Sequence, residues 1–143
     1  MHTYRKRSGF TLVELMLVLS VIIILGGVAI VGIRDYIRMG RRASTQATIS
    51  VVTLAVNRFY YLHKTLPTNL LQLTQAGAGE NGALLRAEDY RDSWNRELRY
   101  SMVHNVEDVR FSIWSMGQDG ANNSGDNAPD NFQGDDIGVC VRI

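Results

Sequence analysis

Five aspartates, Asp119, Asp126, Asp130, Asp135 and Asp136, fall within residues 117–138 of this 143-residue chain, among Asn, Gly and Ser and without a single Lys or Arg. Carboxylates and loop carbonyls at that density supply the oxygens that a hard cation such as calcium takes, six to eight of them at about 2.4 Å. Glycine assists, because it lets a short loop turn its carbonyls inward. The other reading of the same residues is a solvated acidic loop. An EF-hand is excluded, since the D-x-[DN]-x-[DN]-G register fails and no glutamate closes the loop. His63 and His104 have no nucleophile elbow beside them and read as surface or strand-packing side chains. No phosphate-binding loop occurs, so nothing in the chain suggests a motor or an enzyme.

Glu14 is the second residue with chemistry to offer. It stands one residue ahead of Leu15–Ile33, nineteen residues without a charge. As a helix this run spans roughly 28 Å, enough to cross a hydrocarbon core. A carboxylate just inside such a helix either sits solvated among headgroups or pairs with a cation. Cleavage after Gly9 would create that cation, the α-amine of Phe10, which is mostly protonated at neutral pH. The amine and Glu14 lie four residues apart on one helix face, and a neighbouring chain's amine serves equally well. The small residue Gly9 precedes the apolar run, whereas a secretory signal places its cleavage site after it. Cutting here removes only the basic leader and keeps the helix.

The net charge of +1 conceals two unlike halves. Residues 1–42 hold seven Lys/Arg against two acidic residues, and residues 43–143 hold eight against twelve. Arg5, Lys6 and Arg7 precede the apolar run, while Arg34, Arg38, Arg41 and Arg42 follow it. The later group suits lipid headgroups better than nucleic acid. Cys140 is the only cysteine, which excludes an intrachain disulfide and a cysteine-based zinc cluster.

The elements that must position these residues follow from periodicity. Ile37, Ala43, Ala47, Val51, Leu54, Val56, Tyr61 and Leu62 extend a helical stripe past Ile33, giving one helix of about fifty residues. Leu66-Pro67-Thr68 ends it. A short helix over Asn69–Leu73 and a loop over Gln75–Gly82 come next. Leu98–His104 and Val109–Ser115 read as strands joined by a turn at Asn105-Val106-Glu107-Asp108, and Ile137, Val139, Val141 and Ile143 alternate as a third. Trp94, Trp114 and Phe111 read as core. The fold class is α+β: a long N-terminal helix, half of it transmembrane, packed on a small antiparallel sheet with a C-terminal loop.

Ser8-Gly9-Phe10-Thr11-Leu12-Val13-Glu14-Leu15, between a basic leader and an apolar run, resembles the leader of the type IV prepilin superfamily. Three further segments are similar to the D-P-W-G, S-x-G-x-D-G and D-I-G signatures of the major pseudopilin of type II secretion. They are Asp92-Ser93-Trp94-Asn95, Ser115-Met116-Gly117-Gln118-Asp119-Gly120 and Asp135-Asp136-Ile137-Gly138, and Leu66-Pro67-Thr68 matches the family's Y-P-T in part. Ser93 and Asn95 depart from the usual Pro and Gly, but Asn tolerates the left-handed conformation of a glycine. The proline common late in the apolar run is also absent.

The resemblance implies the pilin fold, with a leader at 1–9, a transmembrane and assembly helix at 10–33 and a periplasmic globular domain at 34–143. It implies cleavage between Gly9 and Phe10 by a prepilin peptidase, N-methylation of Phe10, and pairing of Glu14 with a neighbour's N-terminus during assembly. It also implies a structural calcium on Asp119 and Asp126 with carbonyls of Met116, Ala121 and Ser124. Asp135 is an alternative to Asp126, because the loop is long. The function implied is that of a structural subunit of the periplasmic pseudopilus, anchored by a single pass in the inner membrane. Its expected partners are copies of itself, minor pseudopilins, the inner-membrane secretion platform and membrane lipid. A type IV pilin or a DNA-uptake pseudopilin is the alternative, although the lone Cys140 disfavours pilins that close a disulfide loop. A membrane-anchored periplasmic enzyme or binding module ranks below both.

Overall fold

The computed structural model describes the backbone of residues 9–105, 107–126 and 129–143, and their side chains except at 28–32. The leader residues 1–8, with Arg5, Lys6 and Arg7, and Val106 of the expected turn lie outside the described residues. The chain divides into two compact units between Arg38 and Met39.

One helix, α1, runs Leu12–His63. Thr11 and Glu14 start it with a reciprocal capping box. The Glu14 amide donates to Thr11 Oγ1 (3.3 Å), and Glu14 Oε2 accepts from the Thr11 amide and hydroxyl (3.1 Å each). The helix ends three residues ahead of the expected Leu66. Lys64 turns into the left-handed region (φ 56°), its amide closing on the Tyr60 carbonyl at 2.8 Å, before Pro67 is reached. Among the described residues no helix is long and apolar enough to cross a membrane.

The buried face of α1 is not the expected stripe. Thr45, Ile49, Val52, Ala55, Val56 and Phe59 are buried, whereas Val51, Leu54 and Tyr61 are 53%, 70% and 73% exposed. Both sets step by three and four, so periodicity is satisfied twice, about one residue out of phase. Of the residues expected in the stripe, Val56 is in the core.

After α1, Asn69 caps a 3₁₀ turn, Leu70–Thr74, by accepting the Gln72 amide on Oδ1 (3.0 Å). It inserts Leu70 and Leu73 into the core. Three antiparallel strands follow: β1 (Arg99–His104), β2 (Val109–Ser115) and β3 (Ile137–Arg142), in the order β1-β2-β3. β1 and β2 form a hairpin with His104 opposite Val109, closed where the Asn105 amide meets the Asp108 carbonyl (3.1 Å). β3 returns to pair Ser115 with Ile137.

Phe111 and Ile113 of β2 join the α1 residues, Leu66, Leu85 and Leu98 in one core. The alternate residues Ser112 and Trp114 are buried as well, Trp114 in keeping with its reading as a core residue. The C-terminal loop covers them. Ser112 Oγ donates to the Pro129 carbonyl (2.9 Å), and the Phe132 ring lies 6.4 Å from Trp114. The acidic loop is therefore a layer of the fold, with the sheet between it and the helix core.

Candidate functional site

The N-terminal motif occupies the start of α1. Gly9 and Phe10 have no regular structure, and the Phe10 side chain is 80% exposed. Phe10 joins Gly9 in irregular backbone, immediately before a helix whose first turn Glu14 helps close. Glu14 thus has an intrachain partner, Thr11, that the reading of the sequence omits. The T-x-x-E spacing of a capping box was the available signal.

The acidic loop is built from β2 outward. Asp92, buried beneath it, takes the Trp94 and Arg96 amides on Oδ1 (2.9 and 2.8 Å) and the Ser115 hydroxyl on Oδ2 (2.6 Å). Asn95 is left-handed (φ 64°), as its replacement of a glycine requires. Ser93 is tied to α1 through Thr45, whose hydroxyl accepts the Ser93 amide at 3.2 Å.

From Ser115 the chain turns through Met116–Gly120, where the Gly120 amide donates to the Met116 carbonyl (3.1 Å). Asp135 lies against this turn. Its Oδ2 accepts the Gln118 amide at 2.5 Å and the Asp119 amide at 3.1 Å. Asp119 itself caps the next residues, accepting the Ala121 amide on Oδ1 (2.8 Å). Asp126 accepts from the Asn122 side-chain amide (2.7 Å), and Asn122 also takes the indole N–H of Trp114 (3.1 Å). Asp136 collects the Asn123 and Ser124 amides and the Ser124 hydroxyl on one oxygen. Asp130 stands apart, held at the sheet by both of its oxygens on Arg110 (2.8 and 2.9 Å).

The structure thus brings Asp135 onto the Asp119 amide and places Asp126 on Asn122. Met116 and Ser124 are half-buried, and Ala121 is exposed. Among the described residues no group of three or more His, Cys, Asp or Glu side chains is arranged to hold a metal. An ion here therefore needs carbonyls and water to complete its shell. The donor chemistry fits such an ion. All of the candidates are oxygens, and Oδ1 of Asp135 and Oδ1 of Asp136 are buried without a hydrogen-bond partner. A buried carboxylate oxygen left unpaired is costly, and a cation would relieve that cost. Burial acts to raise the Asp135 carboxyl, but the amides of Asp119 and Gln118 outweigh it and hold the group below the ordinary carboxylate value. The carboxylate is therefore ionised at neutral pH.

Asn122 and Arg96 are site residues that the reading of the sequence passes over, and Asp136, named among the five loop aspartates and in the D-I-G segment, was given no role of its own there. The clue to Arg96 was the absence of any basic residue in 117–138, since a countercharge must then come from elsewhere. His63, which stacks on Phe59 with ring centroids 4.3 Å apart, faces the Ala78 carbonyl (3.3 Å).

A capped helix entering from a Gly-Phe junction, and a helix-on-sheet core roofed by an acidic loop, define a pilin-like subunit. Residues 33–132 match the family described as type II secretion system (T2SS), protein G, and residues 4–30 match the prokaryotic N-terminal methylation motif. The chain belongs to the type II secretion protein G family, within the type IV prepilin-like superfamily. It is 28% identical over 127 residues to a fimbrial protein of Neisseria meningitidis serogroup A, covering 85% of this chain and 72% of the relative. It is 33% identical over 78 residues to competence protein ComGC of Halalkalibacterium halodurans, covering 54% of this chain and 76% of that protein. No solved structure matches the chain.

Proposed function

We propose that the protein is a structural, non-enzymatic subunit of a periplasmic pseudopilus serving type II protein secretion. It is inserted in the inner membrane through the uncharged run Leu15–Ile33, its C-terminal unit in the periplasm. A prepilin peptidase cuts between Gly9 and Phe10 and methylates the new amine. The subunit then polymerises through its apolar helix, in company with minor pseudopilins and the secretion platform. The observation that carries this reading is the junction: exposed, irregular backbone at Gly9–Phe10, with an acidic residue fixed one turn into the helix behind it. The match of residues 33–132 to protein G favours secretion. The ComGC relative supports the second reading, a competence pseudopilin, and the fimbrial relative supports a pilin.

In the calcium part of this proposal, Asp119, Asp135, Asp126 and the carbonyls of Met116, Ala121 and Ser124 are the ligand candidates. The ion supplies positive charge to a loop that contains none, and its role is to hold the loop on the sheet.

Glu14→Gln tests the assembly role. Gln retains the capping reach to Thr11 and removes the charge, so helix content measured by circular dichroism stays the same. Filament formation in cells carrying the processed subunit is expected to be lost. Filaments from the Gln variant at wild-type length and number would remove Glu14 from the role.

A further inference from the structure

The turn Met116–Gly120 is held between two opposite charges. On one side the Arg96 guanidinium donates from Nη1 to the Gly117 carbonyl (2.7 Å) and from Nη2 to the Gln118 carbonyl (3.2 Å). On the other side Asp135 Oδ2 accepts the Gln118 and Asp119 amides. The carbonyl of Gly117 and the amide of Gln118 belong to one peptide unit, and the carbonyl of Gln118 and the amide of Asp119 to the next. Two consecutive peptide dipoles are therefore aligned from Asp135 to Arg96, positive end toward the carboxylate and negative end toward the guanidinium.

The seat of Arg96 is constructed. Its own amide and carbonyl are bonded to the buried Asp92, at 2.8 Å each, so the side chain starts from a fixed backbone. Gly120 (φ +72°) lies against the guanidinium, where a Cβ would come within 2.7 Å of Cζ. Gly117 (φ +61°) approaches Asp135 just as closely. Both glycines are at positive φ, and any side chain there would push one of the charges away.

We infer that Arg96 is the positioning residue of the acidic loop: a resident cation that orients the peptides of Gly117–Asp119 and through them holds Asp135, leaving Asp135 Oδ1 for calcium. This rests on the calcium reading above only in its last clause. A planar fork suits two carbonyls in one turn, whereas an ammonium offers a point charge without that geometry.

Hydrogen exchange of the full chain in detergent micelles, in excess chelator, tests the inference. Arg96→Gln is expected to speed exchange of the Gln118 and Asp119 amides at least tenfold, with the Ser112 and Ile113 amides unchanged. Arg96→Lys is expected to restore part of the protection, and it keeps the comparison available should the Gln variant not fold. Asp135→Asn is expected to release the same two amides, and the double variant to be no worse than the worse single one, as for two ends of one interaction. Unchanged exchange at 118 and 119 would overturn the proposal, and so would an equal acceleration everywhere. A parallel calcium titration is expected to show at least fivefold weaker binding in R96Q, and equal affinity would overturn the positioning toward calcium. If the wild-type chain binds no calcium, the calcium reading fails alone, and the exchange result still judges Arg96.

Discussion

Asp130 shows how little a count of acidic residues reveals about their roles. Of the five loop aspartates it is the one given over to the sheet, bonded to Arg110 and within 3.2 Å of the Cys140 thiol. The hydrogen bond from Cys140, with the charges and bonds of Arg110 and the charge of Arg142, lowers its carboxyl below the ordinary value despite an opposing desolvation effect. A group with a lowered folded pKa stabilises the fold above its unfolded pKa, and that contribution is lost as pH falls through the folded one. Wild type is therefore expected to melt higher than Asp130→Asn at neutral pH, with the gap closing below about pH 3.9. Melting curves of both proteins from pH 7 to pH 2 check this, and a gap independent of pH would refute it. At Gly117 the constraint is steric. A Cβ would sit 2.6 Å from Asp135 Cγ, on a backbone with φ +61°. Left-handed strain and overpacking together predict a loss of at least about 2 kcal/mol for Gly117→Ala. Denaturant unfolding measures it, and a loss under about 0.5 kcal/mol would contradict the packing described.

The elements were legible to different degrees. The hairpin ends, the third strand and the single long helix follow from local patterns, because alternation, apolar periodicity and a turn such as Asn105–Asp108 are encoded within a few residues. The buried face of α1 was not. Val51, Leu54 and Tyr61 make as good a stripe as Ile49, Val52, Val56 and Phe59, and the choice between them belongs to the sheet that packs on the helix. Phe59→Ala is accordingly expected to cost about 3–5 kcal/mol, and Leu54→Ala to stay within about 0.5 kcal/mol. Equal losses from the two variants in urea unfolding would show the wrong face to have been assigned. Ser112 and Trp114 carry the same lesson. Alternation along β2 sets them on the opposite face from Phe111 and Ile113, and it is the returning loop that buries that face and adds a third layer.

For the whole molecule, the near-neutral charge is the sum of a basic N-terminal stretch and an acidic C-terminal unit. The fold offsets the acidic side with Arg96, Arg110 and Arg142, brought to the loop from elsewhere in the chain. What remains unpaired, Oδ1 of Asp135 and of Asp136, underlies the expectation of calcium. Calcium at a hundred times its dissociation constant is expected to stabilise the full chain in detergent by about 2.7 kcal/mol, and chelator to remove the gain. Thermal melts followed by tryptophan fluorescence, in a Trp94→Phe background so that Trp114 is the signal, report on both fold and loop, since the Trp114 indole bonds Asn122. Identical melts with calcium and with chelator would leave Arg96 as the loop's cation and exclude the metal.

Features carried by neighbouring residues were available from the amino-acid order: the Gly9-Phe10 junction, the uncharged helix, the short helix after Pro67, the strands and the acid-rich loop. Each depends on backbone geometry or hydropathy over a few positions, which a linear pattern records. Three matters required the folded chain: which helix face is buried, which aspartates meet the turn and which meet the sheet, and that Arg96 supplies the countercharge. These depend on contacts between residues as much as 21 positions apart and more, closed by the packing of the sheet, and no local pattern specifies them.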